Sequence, residues 1–183
     1  MEFFSEQYFL EQKQTISINE QRMFSARVQN TSSETWFDIF LSYNISNLDV
    51  VKAIYYVLTK QELKVYLDCI VDPYMQRNNC GEATAQKIHN RLMHSRALLY
   101  AQSPNAGQSN WMPWELGIVD GHTHKCFVMP VTANATQVTP KREYLSLYPY
   151  IKPDTNNVMK IISEGTQPGL FVTDFVKYIK GIR

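Results

Sequence analysis

Apolar and polar positions along the chain fall into two regimes. Residues 1 to about 34 mix Gln, Glu and Ser with scattered Phe, Tyr and Met. This stretch predicts a partly helical N-terminal extension, closed by the polar run Asn30-Thr31-Ser32-Ser33. From Trp36 the rhythm changes. WFDIFLSY is a short, nearly continuous apolar run with a polar end, the pattern of a buried strand in a parallel sheet. Ser46 or Asn47 then offers an N-cap, and Leu48, Val51, Ile54, Tyr55 and Leu58 recur at helical spacing. LKVYLD reads as a second strand, and the Pro, Asn and Gly of PYMQRNNCGE mark a loop. Ala85, Ile88 and Leu92 line one face of a second helix. RALLYAQS is a third strand and SPNAGQSN a turn-rich loop. WMPWELGIVDG is a third helix, in which Pro113 is tolerated because it falls in the first turn. KCFVMPV is a fourth strand. Beyond Val131 the pattern weakens: EYLSLYPYIKPD holds a short strand, and after Pro168-Gly169 the positions Val172, Phe175, Val176 and Ile179 predict a closing helix.

Strands alternating with helices over short links predict an α/β domain built on a parallel sheet flanked by helices. The chain divides into residues 1–34, the extension, and 35–183, the domain, with an extended C-terminal part from about 132. In such sheets ligands sit beyond the carboxyl ends of the strands. Those ends carry Ser42-Tyr43, Asp68, Gln102-Ser103 and the loop leading to Trp111, so the polar candidates collect on one rim.

Composition narrows the function classes. A chain of 183 residues, 44% hydrophobic, is the size of one domain with a real core. Its formal charge of +1, with acids and bases interspersed, gives no electrostatic reason to expect nucleic acid or an anionic membrane as partner. Three cysteines, Cys69, Cys80 and Cys126, form no CxxC unit and are expected as free thiols in a reducing compartment. The N-terminus lacks a signal-peptide pattern, no segment is long enough to span a bilayer, and the chain reads as cytoplasmic. Asn30, Asn44 and Asn134 each begin an N-x-S/T triplet, without significance in that compartment.

The chemistry concentrates in SPNAGQSNWMPWEL. With Asn110 as cap, Trp111 and Glu115 are four residues apart and share a helix face. A carboxylate close to a helix N-terminus gains about 0.3–1 kcal/mol from the dipole. An indole beside it can hold a flat aromatic ligand against the charge. Glycosidic cleavage passes through an oxocarbenium-like state that a carboxylate stabilises. One carboxylate without an acid partner suits a leaving group that needs no protonation, such as the nicotinamide of NAD⁺. Taken alone, this spacing is ordinary packing. His122 and His124, with Asp120, lack a third ligand, so no metal site is expected. Ser103 has no nucleophile-elbow context, and no glycine-rich phosphate loop occurs.

In company the segment gains meaning. FDIFLSY, LKVYLD with its terminal Asp, and LLYAQSPN followed by SNWMPWEL, in that order and spacing, resemble the TIR (Toll/interleukin-1 receptor) domain family from Phe37 to Val131. The resemblance implies a flavodoxin-like parallel sheet and, in the family's NAD-cleaving members, a catalytic glutamate at Glu115. It places Trp111 on an aromatic that lines the nucleotide site, and Ser42, Tyr43 and Asp68 at strand ends bordering that cleft. Residues Val71 to Gly81 correspond to a mobile loop that in enzymatic members packs against a neighbouring protomer, which implies self-association. Asn44-Ile45 and PYMQRNNCGE depart from the family's usual residues at those points. The tail phrase EYLSLYPYI is similar to prokaryotic TIR proteins of antiphage defence, particularly the Thoeris type. There, TIR subunits convert NAD⁺ into a small ADP-ribose-derived signal for a separate effector.

Three functions compete. The first is an NAD⁺ glycohydrolase or ADP-ribosyl cyclase-like enzyme that takes NAD⁺ as substrate and needs no cofactor. The second is a TIR interaction module without catalysis. The third is a nucleoside deoxyribosyltransferase-like enzyme, which shares the sheet type and the use of a carboxylate.

Overall fold

The computed structural model describes residues 3–29, 31–75, 81–133, 142–162 and 173–182. It begins with strand β1 (Phe4–Ser5) and helices α1 (Glu6–Gln14) and α2 (Ile18–Ala26). The repeating part follows as β2 (Ile39–Tyr43), α3 (Leu48–Lys60), β3 (Val65–Tyr66), the short α4 (Asp68–Val71), α5 (Glu82–Met93), β4 (Leu98–Gln102), α6 (Trp111–Thr123) and β5 (Cys126–Thr132). After a 3₁₀ turn at Glu143–Leu147 come β6 (Tyr150–Pro153), β7 (Met159–Ile162), β8 (Thr173–Asp174) and α7 (Phe175–Lys180). The sheet runs β3-β2-β4-β5-β6-β7-β8. It is parallel from β3 to β6 and antiparallel from β6 to β8. The α/β domain on a mostly parallel sheet is thus present, with an antiparallel hairpin appended where the sequence pattern weakens.

The central strands are apolar because both faces are covered. Every residue of β4 and β5 is buried, and in β2 only Tyr43 is partly open. α3 starts where Asn47 accepts the Asp49 N–H at 3.0 Å, and Val51, Ile54, Tyr55 and Leu58 pack inward. Leu48 does not join them: at the first helical position it lies past the sheet edge, 48% exposed. On α5, Ile88 and Leu92 are fully buried. Phe175 anchors the closing helix α7; Val172 and Pro168-Gly169 lie outside the described residues, as do Cys80, Asn30 and Asn134.

The N-terminal stretch packs on this domain. β1 adds in parallel to the end of β5, pairing Phe4 with Val131 and Ser5 with Thr132. Ser5 caps α1, and a Ser17–Glu20 capping box starts α2. Phe4, Phe9, Ile16, Phe24 and Val28 are buried, each removal from water worth about 1.5–3 kcal/mol. The end of the stretch is held on α5, where Arg91 donates to the Thr31 and Ser32 carbonyls and Asn90 to that of Ser33.

Candidate active site

Parallel pairing of Phe40–Tyr43 with Leu98–Ala101, and of Leu98–Gln102 with Cys126–Pro130, aligns the carboxyl ends of β2, β4 and β5. Beside them opens a cleft of about 540 Å³, bordered by Tyr43, Asp68, Cys69, Pro73, Met75 and Trp111. That volume suits a small organic ligand. Ile45 and Leu48, the helix residue that left the core, supply an apolar wall.

Asp68 opens α4 and is only 5% exposed. Its Oδ1 accepts from Tyr43 Oη at 2.9 Å and from the Cys69 N–H at 2.7 Å, so ring and carboxylate are held as one unit. Burial, aided by the Asp68 charge, pushes the Cys69 thiol above its ordinary range and keeps it neutral at physiological pH. The rim is cross-tied: Asn44 Nδ2 donates to the Asn105 carbonyl at 2.7 Å, Asn105 Nδ2 to Ser46 Oγ at 3.0 Å, and Ser103 Oγ to the Asn44 carbonyl at 2.9 Å. The loops after β2 and β4 are thereby joined. Ser103 also borders a smaller cavity of about 160 Å³ with Gln102 and Arg142, so the rim residues divide between two openings.

α6 begins at Trp111, with Asn110 in the N-cap position, but the cap is made by another residue. Ser109 Oγ accepts the N–H groups of Trp111 and Met112, each at 3.2 Å, and Asn110 contributes no side-chain cap bond. Trp111 is half-buried and meets Trp114 edge-on, ring centroids 5.5 Å apart. Glu115, one turn further on, is fully buried. As the fifth helical residue it stands beyond the first turn, where the dipole acts most strongly. Its support comes from the sheet: Ser42 Oγ on β2, itself fully buried, donates to Glu115 Oε2 at 2.5 Å. A hydrogen bond to a charged group contributes about 1.5–3 kcal/mol, which offsets part of the desolvation of the carboxylate.

Tyr43, Asp68 and Trp111 thus share the cleft, while Ser42 and Glu115 form a bonded pair beneath the solvent-reachable surface. Sequence reasoning missed Cys69, Met75 and Ser109 here. It also missed a buried ion pair behind the cleft wall, Asp72 with Arg91, which the exposed Lys87 joins from the surface. The signal for Arg91 was available, since it sits between Ile88 and Leu92 on the inward face of α5.

Residues 39–161 match the TIR domain family. The chain is 31% identical over 128 residues to a protein of Bacillus cereus (strain MSX-D12) named as a probable 3′ cyclic ADP-D-ribose synthase, ThsB′. That alignment takes in 69% of this chain and 66% of the relative. It is also 26% identical over 88 residues to a provisionally named cyclic ADP-D-ribose synthase, TIR2, of Cytobacillus dafuensis, across 48% of this chain and 23% of that protein.

Proposed function

Because the chain belongs to the TIR domain family, we propose that it cleaves NAD⁺ between nicotinamide and ribose and closes the ADP-ribosyl group into a cyclic product. The observation that carries this reading is the convergence of Trp111, Tyr43 and Asp68 on one cleft, with the Ser42–Glu115 pair behind it. The names of the two relatives support the choice of a cyclic product. Trp111 contacts a flat ring, and the Tyr43–Asp68 unit borders the ribose.

In the reaction the bond from the ribose anomeric carbon to the pyridinium nitrogen breaks, and its electron pair leaves with neutral nicotinamide. Glu115 stabilises the oxocarbenium ion that remains. A hydroxyl of the adenosine ribose then attacks that carbon and loses its proton, giving cyclic ADP-ribose, nicotinamide and a proton. NAD⁺ is the substrate, and no further cofactor takes part.

Full burial of Glu115 has a consequence for regulation: a ribose reaches it only after local opening near Trp111. We therefore assign a low basal rate, raised by self-association of TIR domains or a trigger. The same burial favours the second reading, a non-catalytic assembly module in which Glu115 is a packing residue. The proposed setting is cytoplasmic antiphage defence, with the product acting on a separate effector and with neither nucleic acid nor membrane as partner. Among the described residues no helix is long and apolar enough to cross a membrane.

Incubation of concentrated protein with NAD⁺ in heavy-oxygen water tests the reaction. Nicotinamide with an unlabelled cyclic product, one water lighter than ADP-ribose, is expected, because cyclisation adds no water. Labelled linear ADP-ribose would replace cyclisation by hydrolysis, and intact NAD⁺ would favour the assembly module.

A further inference from the structure

We propose that the buried pair Asp72–Arg91 is a positioning device that sets the wall of the cleft and ties it to the N-terminal segment. The proposal rests on the reading of that cleft as the NAD⁺ site. Arg91 is 3% exposed and Asp72 8%. Arg91 Nε donates to Asp72 Oδ2 at 3.2 Å and Nη2 to Oδ1 at 3.4 Å. The same guanidinium donates through Nη1 to the Ser32 carbonyl at 2.7 Å and through Nη2 to that of Thr31 at 3.3 Å. Its central carbon lies 5.7 Å from the Phe37 ring centroid and 5.8 Å from that of Tyr66, which adds cation–π contact on a desolvated group. Asp72 also accepts from Tyr66 Oη at 3.0 Å and from Lys87 Nζ at 2.7 Å.

A buried ion pair adds little net stability over apolar residues of the same shape, but separating its partners leaves an uncompensated buried charge, so the two are held together. The geometry fixed here is that of one turn. The Asp72 N–H donates to the Asp68 carbonyl at 2.8 Å, and the Met75 N–H to the Asp72 carbonyl at 2.9 Å. Pro73 and Met75, in the turn, and Asp68, bonded to its first residue, all border the cleft beside Tyr43 and Trp111. Asp72 therefore faces away from the cleft and still sets where three of its wall residues stand. On the other side of the turn lies a second cavity, about 620 Å³, bordered by Thr31, Asp72, Pro73, Lys87 and Arg91. Pro73 is the partition between the two. In this proposal, movement of residues 31 and 32 reaches the wall of the cleft through one guanidinium.

The test compares wild type with the double variant Asp72→Asn/Arg91→Met, which removes both charges together and keeps approximate volume. Two readouts are taken on folded protein: hydrogen exchange of the Met75 amide, and the steady-state constants for NAD⁺. Exchange at Met75 is expected to accelerate about tenfold or more while amides of β2 and β4 stay protected. KM is expected to rise about tenfold with kcat changed less than about threefold, the mark of lost substrate positioning. If the double variant does not fold, Arg91→Lys is read instead; it keeps the charge but not the fork, and intermediate shifts in both readouts are expected. Unchanged Met75 exchange, or kinetic losses that only follow the folded fraction, would overturn the proposal. Should wild type leave NAD⁺ intact, the function fails, and exchange at Met75 still decides whether the pair positions the turn.

Discussion

Ser42 is where a single side chain does most to define the site. Its hydroxyl donates a hydrogen bond to a fully buried carboxylate, at 2.5 Å. Sequence alone placed Ser42 at the rim as a substrate contact, because a strand end was visible and the direction of its side chain was not. In the structure its hydroxyl donates to Glu115, and the proposed mechanism gives it the role of holding the carboxylate oriented. Ser42→Ala is expected to lower kcat about tenfold or more, given about 1.5–3 kcal/mol for such a bond, with a smaller change in KM. Steady-state kinetics beside a melting curve check this; a kcat equal to wild type in folded protein would return Ser42 to a packing role. Glu115 and Trp111 were legible because their four-residue spacing survives any shift of the helix start. The cap was not: Asn110 and Ser109 are neighbours with equal capping preference, and only backbone direction selects Ser109.

Elements were legible in proportion to their burial. β2, β4 and β5 announce themselves as apolar runs because helices cover both faces. β7 and β8 were missed, since a strand such as MKII is short and half-open, and β8 has only two residues. α4 was missed because its four residues are too few to show a period. At this scale the loop after α4 depends on Asp72. Burial works to raise its carboxyl, but hydrogen bonds from Arg91, Lys87 and Tyr66 outweigh it and hold the group below the usual carboxylate range. A depressed folded-state value contributes stability that is complete above the unfolded value, near pH 4, and is lost as pH falls through the folded one. Wild type should therefore lose melting temperature more steeply than Asp72→Asn as pH falls below about 4. Parallel curves for the two proteins would show that Asp72 is not held in this way.

For the whole molecule, the N-terminal segment and the domain share one core, from Phe4 and Phe9 at one end of the passage to Arg91 at the other. The sequence could not show this, because an amphipathic stretch of Phe and Gln fits either an intramolecular or an intermolecular partner. The buried state of Glu115 also belongs to this scale, since the proposed gating opens the site when TIR domains assemble. Specific activity is accordingly expected to rise with protein concentration as TIR domains associate, by about tenfold or more across the association range. Light scattering and turnover measured on the same dilution series check this. A specific activity that stays constant down to demonstrably monomeric protein would remove assembly from the account.

The most direct test is nicotinamide release from NAD⁺ by concentrated wild type beside Glu115→Gln, with matched melting curves. An amide keeps the shape of the side chain and its bond from Ser42 but removes the charge proposed to steady the oxocarbenium ion. Release by wild type and a rate about 10²–10³-fold lower in the variant is the predicted result, the size of a lost transition-state electrostatic contact. Equal release by both proteins would show that Glu115 does not carry the chemistry.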